Sequence, residues 1–244
     1  MRNKEKMVKE QYEAWALTYD KDKVEIIKSD TGIELGEFVN LILDNCNLRN
    51  GMSILDVGIG SGLISMSIAK RLLGKCKILG IDITDVMLKK AKANIKNESL
   101  GDVISLKKAS AENIPANNNS YNLIVCVFTI RHTEIKNTLS EFMRVLKLKG
   151  RVVIVDLYAP EKWRSLPAKI IMPLFKLFFM RKKKMGAEKE SKLLTLEEWK
   201  TLVKEIGGKN IQIDKFSNIG EPEWKPGKMI ILWNKSWINI EPLS

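Results

Sequence analysis

Histidine and cysteine are scarce in this 244-residue sequence, which contains one histidine and three cysteines. The cysteines are Cys46, Cys76 and Cys126, and none of them shows Cys-x-x-Cys spacing. A structural zinc ion needs four Cys or His ligands close together, so we expect neither a metal site nor disulfide bonds. Cys126 lies within an apolar run and is expected to be a buried, reduced thiol.

Long apolar runs are also missing from the sequence. No run reaches the ~18 residues needed to span a bilayer, and no secretory signal pattern is found at the N-terminus. The composition, with 45% hydrophobic and 29% charged residues, is that of an ordinary globular protein. We therefore expect a cytoplasmic protein that at most contacts a membrane from one side.

Arginine is scarce relative to lysine, although the formal net charge is +12. Only eight of the 41 basic residues are arginines, the residue type best suited to bidentate contacts with phosphates and bases. The lysines are spread over the whole chain. A general lysine bias therefore explains the positive charge better than a nucleic-acid substrate does. The net charge is the only observation that supports the nucleic-acid alternative.

Apolar, strand-like runs alternate with helical patterns from about residue 34 onward. This alternation predicts an α/β fold with a doubly wound, seven-stranded, mostly parallel sheet and helices on both faces. Thr195 and Glu198 form a capping box that opens a helix over 196–206. The predicted strands are 52–57, 77–82, 103–108, 122–128, 151–157, 210–216 and 228–234, and the other predicted helices are 34–46, 61–73, one capped by Thr84, and 134–147.

A glycine-rich turn follows the first predicted strand. Gly58, Gly60 and Gly62 permit positive φ angles and let a ligand approach bare backbone, and the helix after them begins with free N–H groups. Asp82 ends the second strand, where its carboxylate can accept hydrogen bonds from both hydroxyls of a ribose. The pattern therefore predicts a site for a ribose-containing ligand.

Two details distinguish between ribose-containing cofactors. The spacing is Gly-x-Gly-x-Gly, whereas dinucleotide folds need Gly-x-Gly-x-x-Gly to bind a pyrophosphate. Asp56 precedes the glycines, and a carboxylate there suits the ammonium and sulfonium charges of S-adenosylmethionine (SAM) better than it suits pyrophosphate. The pattern therefore favours SAM over a nicotinamide cofactor.

Asp56-Val-Gly-Ile-Gly-Ser-Gly62 resembles the first motif of class I SAM-dependent methyltransferases. The resemblance runs from about Tyr12 to Trp233, and it is nearest to the ubiquinone/menaquinone-biosynthesis C-methyltransferases and related small-molecule methyltransferases. Ser110 and Asn122 stand where many members have Asp, so we expect weaker adenine recognition. The further motifs, in the family's order, are Gly80-Ile-Asp82, Ser110-Ala-Glu-Asn-Ile-Pro115, Tyr121-Asn-Leu-Ile-Val125, and Arg144-Val-Leu-Lys-Leu-Lys-Gly-Arg151, which resembles Arg-Val-Leu-Lys-Pro-Gly-Gly.

The resemblance implies that SAM is the cofactor, that the methyl acceptor is a small molecule, and that an N-terminal segment folds over the methionine end of SAM. A nucleic-acid or protein methyltransferase and a non-catalytic SAM-binding partner protein are the alternatives. No prediction is made of the oligomeric state. The cofactor-binding residues that the resemblance implies are Tyr12, Tyr19, Asp56, Gly58, Gly60, Gly62, Asp82, Ile83, Met87, Ser110, Ala111, Glu112, Phe128 and Thr129.

The loop after the fourth strand contains the candidate catalytic residue. His132 is the only histidine of the chain. We interpret it either as a proton acceptor or as a side chain that structures the loop. Arg131 is a candidate to hold an anionic substrate oxygen, and a solvated side chain is the alternative. Thr129 is expected at the boundary between cofactor and acceptor.

An apolar segment with a basic end interrupts the alternation after the fifth strand. We predict a helical cap there, either packed on the core or docked through 166–184 on an anionic membrane. Both interpretations stay open. The predicted organisation is an N-terminal helical lid and first core helix over 1–50, a SAM-binding core over 51–157, the cap over 158–194, and the last helix and two strands over 195–244.

Overall fold

Runs of valine, isoleucine and leucine form one seven-stranded sheet in the computed structural model, which describes residues 10, 12–15, 18–164, 193–216 and 226–235. The strands are β1 (Met52–Val57), β2 (Cys76–Asp82), β3 (Ile104–Lys108), β4 (Tyr121–Val127), β5 (Leu146–Tyr158), β6 (Gly208–Phe216) and β7 (Gly227–Lys235). The helices are α1 (Tyr19–Thr31), α2 (Leu35–Asn45), α3 (Leu63–Arg71), α4 (Asp85–Asn97), α5 (Ile135–Val145) and α6 (Leu196–Glu205).

The order of the strands across the sheet is β3-β2-β1-β4-β5-β7-β6. The first five of these strands pair in parallel, and β7 runs antiparallel to both β5 and β6. The predicted seven-stranded, mostly parallel α/β sheet is confirmed, and the two antiparallel pairs at β7 are a feature that the prediction did not specify. The chain order reverses between β1 and β4, where open α/β sheets bind ligands at the carboxyl ends of the strands.

Both faces of the sheet are buried by helices. Phe38 and Ile42 of α2 belong to one buried apolar cluster, while Phe142 of α5 and Trp199 of α6 belong to the other. Burial on both faces explains why the central strands read as continuous apolar runs rather than alternating ones. It also makes the carboxyl ends of these strands a rigid base for a site.

The predicted elements occur in the predicted order, with three differences. Helix α1 precedes the helix predicted over 34–46 and lies in the segment of the predicted N-terminal helical lid. Its bounds were not predicted, because its polar sequence carries little amphipathic signal: of its side chains only Tyr19 and Ile27 are described as buried. The helix predicted over 61–73 is shorter, and β5 begins at Leu146 rather than 151. The capping box of Thr195 and Glu198 is confirmed, with both hydrogen bonds present.

The apolar cap falls largely outside the described residues. The structure describes none of 165–192, so the cap predicted over 158–194 and its proposed membrane contact through 166–184 stay predictions. In the part of the chain that is described, no helix is both long enough and apolar enough to cross a membrane.

Arg144 fastens the loop between β3 and β4 to helix α5. Its guanidinium donates to both carboxylate oxygens of Glu141, at 2.6 and 2.7 Å, and to the carbonyl oxygens of Ile114 at 2.9 Å and Ala116 at 2.7 Å. Glu141 also accepts the Ile114 N–H at 2.8 Å. The hydrogen bonds from Arg144 hold the pKa of Glu141 below its ordinary value. This clamp positions the loop that carries Ser110 and Glu112.

We predict that Arg144→Lys lowers the free energy of unfolding by about 2 kcal/mol, because an ammonium cannot reach the carboxylate and both carbonyls at once. Urea denaturation measures the change. Arg71→Lys is the matched control, because Arg71 bridges the exposed Asp44 and Asn40 and exposed pairs contribute less than about 1 kcal/mol. Equal losses in the two variants would contradict the assignment.

Candidate active site

A cavity opens at the carboxyl ends of β1, β2 and β4, where the strand order reverses. Its walls contain 12 of the 15 predicted site residues, drawn from five separate segments of the chain. The sequence therefore identified most of one continuous site. The 12 residues are Tyr12, Tyr19, Gly58, Gly60, Asp82, Ile83, Ser110, Ala111, Glu112, Phe128, Thr129 and His132.

The three other predicted residues do not line the cavity. Asp56 is buried, and its Oδ2 accepts a hydrogen bond of 2.7 Å from the Ser65 hydroxyl. Gly62 is the N-cap of α3 and packs against α4, and Met87 is buried in α4. Each of them supports an element that borders the cavity, and their contribution to binding stays a prediction.

The glycine loop is closely covered by two side chains. Gly58 has φ of 72°, and a Cβ added there would lie 2.1 Å from the Thr129 hydroxyl oxygen. Gly60 has φ of 56°, and an added Cβ would lie 3.3 Å from the Tyr19 hydroxyl oxygen. Positive φ favours glycine at both positions, and at Gly58 the approach of Thr129 leaves no room for a side chain.

Asp82 joins the glycine loop to the end of β2. Its Oδ2 accepts the Gly60 N–H at 3.1 Å, and its Oδ1 accepts the Thr84 N–H at 2.9 Å and the Thr84 hydroxyl at 2.8 Å. Burial raises the pKa of this carboxyl, and the hydrogen bonds from Thr84 and Gly60 oppose that shift. The carboxylate is therefore held in one orientation in the cavity wall.

Thr84 lines the cavity, although sequence reasoning did not identify it as a site residue. It occupies the N-cap position of α4 as predicted, but its hydroxyl makes no capping hydrogen bond. The hydroxyl bonds to Asp82 instead. A hydroxyl two residues after a cavity carboxylate is the signal that could have identified it.

An aromatic cluster from the N-terminal segment lies at the cavity. The ring centroids of Tyr12 and Tyr19 are 6.1 Å apart, and Trp15 lies 4.7 Å from Tyr19. Tyr12 also meets the His132 ring edge-on at 6.4 Å. Burial raises the pKa of the Tyr12 hydroxyl well above its ordinary value, so this hydroxyl stays protonated. The cluster places apolar ring surface beside the only imidazole.

Phe128 adopts a strained backbone conformation at the end of β4. Its φ of 53° lies in the left-handed region, which aromatic residues rarely adopt. Its ring stacks on Phe38 at 5.8 Å with an interplanar angle of 3°, and its N–H donates to the Val155 carbonyl oxygen at 2.7 Å. Strain of this kind persists where packing over-determines the backbone, and it is concentrated at functional sites.

Arg131 forms an internal ion pair, so its interpretation as a solvated side chain is wrong, while its interpretation as a holder of a substrate oxygen stays a prediction. Its Nη1 lies 2.7 Å from Asp156 Oδ1, and its N–H donates to Asp156 Oδ2 at 3.3 Å. The Asp156 side chain is 1% exposed and that of Arg131 is 12% exposed. The pair ties the loop after β4 to strand β5.

Ser110 and Asn122, the two residues that depart from the family motifs, lie in different parts of the structure. Ser110 lines the cavity, and its hydroxyl oxygen accepts the Glu112 N–H at 3.3 Å. Asn122 lies at the start of β4, at the opposite edge of the sheet, where its Oδ1 accepts the Ser53 N–H at 2.9 Å. Only Ser110 can therefore affect a ligand in this cavity directly.

The three cysteines are buried thiols, and the expected burial of Cys126 is confirmed. Burial raises the pKa of Cys126 well above its ordinary value. Among the described residues, no three His, Cys, Asp or Glu side chains converge as a metal site.

Residues 54–150 match a family model described as a methyltransferase domain. The chain is 29% identical over 119 residues to the ubiquinone/menaquinone biosynthesis C-methyltransferase UbiE of Idiomarina loihiensis, covering 48% of this chain and 47% of that protein. It is 24% identical over 181 residues to the demethylmenaquinone methyltransferase of Lactiplantibacillus plantarum, covering 70% and 76%. The chain thus spans about half the length of several curated relatives and about three quarters of others.

Solved structures share the fold at low identity. The YcgJ protein of Bacillus subtilis matches with a TM-score of 0.64 and 17% identity, covering 83% of this chain and all of that one. The geranyl diphosphate C-methyltransferase of Streptomyces coelicolor, solved with Mg²⁺, geranyl diphosphate and S-adenosyl-L-homocysteine, matches with a TM-score of 0.66 and 12% identity, covering 82% and 79%. At these identities the likeness shows the arrangement of the sheet and helices.

We predict that affinity for S-adenosylhomocysteine falls as the pH is lowered from neutral into the acidic range in which the protein stays folded. Burial raises the pKa of Asp82, so this carboxyl takes up a proton at a higher pH than an exposed Asp does. Ribose hydroxyls donate to the ionised form, and protonation therefore opposes binding. Isothermal titration calorimetry over this pH range measures the affinity.

Asp82→Asn should bind weakly and without this pH dependence. Asp85→Asn, which removes an exposed carboxylate bonded to Lys108, is the matched control and should behave as the wild type. The assignment of the ribose to Asp82 fails if the wild-type affinity does not change with pH, or if Asp82→Asn keeps the same pH profile.

Proposed function

We propose that this chain, whose residues 54–150 form a methyltransferase domain of the class I SAM-dependent superfamily, transfers the methyl group of SAM to a small apolar acceptor. The observation that carries the proposal is the convergence of the glycine loop, Asp82 and the loop 128–132 on one cavity. SAM supplies an electrophilic methyl group on a sulfonium sulfur. The chain's own residues bind and orient the two reactants and accept a proton.

The residues present fit this cofactor. The Asp82 carboxylate is already oriented by the Gly60 N–H and by Thr84, so this carboxylate needs little rearrangement to bind a ribose. The Thr84 hydroxyl can rotate, and the Oδ1 position that it occupies can then accept a ribose hydroxyl. We assign the ribose to Asp82 and the adenine side to Ser110, Ala111 and Glu112.

The methionine end of the cofactor is assigned to the region between the glycine loop and the N-terminal aromatic side chains. Tyr19 approaches Gly60, and Thr129 approaches Gly58, so the two sides of this region are fixed by direct contact. Tyr12 lies between Tyr19 and His132. This arrangement holds the side chains around the proposed reacting centre in fixed positions, and preorganised groups of this kind stabilise a transition state without rearranging.

We propose a quinol-type ring as the acceptor class. The rings of Tyr12 and Phe128 supply apolar walls of the cavity, and the names of two relatives refer to ubiquinone or menaquinone biosynthesis and to demethylmenaquinone. Methylation of a ring carbon requires the acceptor to lose a proton. His132 lines the same cavity and is the proposed proton acceptor, because a neutral imidazole has a ring nitrogen that can accept a proton.

Calorimetric titration with SAM, S-adenosylhomocysteine and NAD tests the cofactor assignment. We expect the first two to bind and NAD not to bind. Asp82→Ala should weaken binding of both by about tenfold or more, because a charged acceptor of hydroxyl hydrogen bonds is lost, while the variant still unfolds in a cooperative transition. Binding of NAD alone, or full affinity of Asp82→Ala for S-adenosylhomocysteine, would refute the proposal.

For His132→Gln we predict a loss of turnover with demethylmenaquinol of about 10²-fold or more, with unchanged affinity for S-adenosylhomocysteine. Tyr12→Leu is the control for packing, because it removes the ring contact with His132 but leaves the imidazole, and its loss of turnover should be smaller than that of His132→Gln. Equal losses of turnover in the two variants would assign His132 a structuring role.

A further inference from the structure

A second cavity opens at the opposite edge of the sheet. It is bordered by the segment between α2 and β1, by the start of β4 and by residues 148–151 of β5. Strand β1, whose two ends face the two cavities, has six residues and is about 20 Å long at 3.3 Å per residue. The second cavity is therefore separate from the candidate active site.

The ionisable residues that line this cavity are cationic, apart from the thiol of Cys46. Arg49, Lys149 and Arg151 line it, together with four asparagines, and no Asp or Glu is among its described lining residues. Lys147 adds a further cation next to the wall, since its Nζ donates to Asn122 Oδ1 at 3.3 Å. Burial raises the pKa of the Cys46 thiol to about 12, so it stays uncharged. The cavity thus combines positive charge with hydrogen-bond donors.

Lys149 occupies this wall in an unfavourable backbone conformation. Its φ is 60°, in the left-handed region where a side chain costs free energy and glycine does not. It lies in an irregular stretch of β5, between the pairs Tyr121↔Leu146 and Leu123↔Arg151. The chain therefore keeps a lysine at the cavity where glycine would relieve the strain.

Arg151 lines the cavity and has one donor that lacks an acceptor within the described part of the chain. Its Nη1 donates to the Asn45 carbonyl oxygen at 2.8 Å, but its Nε is buried without a hydrogen-bond partner there. A buried donor without an acceptor is destabilising. A tetrahedral oxyanion supplies acceptors in the geometry that a guanidinium favours.

From these observations we propose that the second cavity binds a phosphate-type oxyanion through Arg49, Lys149 and Arg151. The ligand is inorganic phosphate or the phosphoryl group of a small organic molecule, since both present the same acceptor oxygens. The site is independent of the proposed methyl transfer, because the cavity shares no lining residue with the candidate active site.

Titration of the intact protein with inorganic phosphate tests the proposal, with chloride at matched ionic strength as the reference. Calorimetry and the thermal unfolding midpoint should both show a saturable effect of phosphate that chloride lacks. Lys149→Gln removes the charge while keeping a side chain in the strained conformation, and it should weaken phosphate binding by about tenfold. Lys149→Arg should retain binding.

Lys89→Gln is the matched control, because Lys89 is exposed on α4 and its loss lowers the net charge equally. It should change phosphate affinity by less than about twofold. Equal responses to phosphate and chloride, or equal effects of Lys149→Gln and Lys89→Gln, would overturn the proposal. Glycerol 3-phosphate distinguishes the ligand sources: tighter binding than phosphate assigns an organic phosphate, and equal binding assigns phosphate itself.

S-adenosylhomocysteine affinity provides a second readout in the same variants. Lys149→Gln should leave it unchanged within about twofold, because the substituted side chain is about 20 Å from the candidate active site. A parallel loss of phosphate and S-adenosylhomocysteine binding would show one shared site and would overturn the proposal. Failure of S-adenosylhomocysteine to bind the wild type would count against the proposed methyl transfer alone.

Discussion

The candidate active site depends on the carboxylate of Asp82, which connects two parts of the chain that leave the sheet separately. One oxygen accepts the N–H of Gly60 in the loop after β1, and the other accepts two donors of Thr84 at the start of α4. Since β1 and β2 are paired in parallel, their carboxyl ends are already adjacent. The hydrogen bonds of Asp82 hold these adjacent ends together as one rigid wall of the cavity.

The opposite wall combines close packing with hydrogen bonds between the loop after β4 and strand β5. Thr129 lies against Gly58, and Phe128 is held in a left-handed conformation by its stack on Phe38. Because Phe38 belongs to the buried core, the position of the loop after β4 is set by the same packing that stabilises the sheet. The proposed chemistry at His132 thus relies on a loop with little freedom to move.

Local patterns were enough to predict the strand positions, the glycine loop and Asp82, because parallel strands deliver their carboxyl ends to one edge. Most of the other cavity residues were implied by the resemblance to class I SAM-dependent methyltransferases. They were not enough for Arg131 and Thr84, whose roles depend on partners that fold next to them: Asp156 lies 25 residues away, and Asp82 competes for the capping hydroxyl. The sequence also did not indicate the partner of Asp56, whose carboxylate accepts a hydrogen bond from Ser65. Side-chain direction and partner choice are tertiary properties that periodicity does not encode.

The buried pair of Arg131 and Asp156 has a consequence for how this protein can diverge. Removing one member alone leaves a charge buried without its counter-ion, at a cost of about 3–5 kcal/mol, which is a large part of the stability of an ordinary domain. Replacing both together with apolar side chains carries no such penalty. The two positions are therefore expected to change jointly among descendants of this sequence, and single replacements at either position should be rapidly purged by selection.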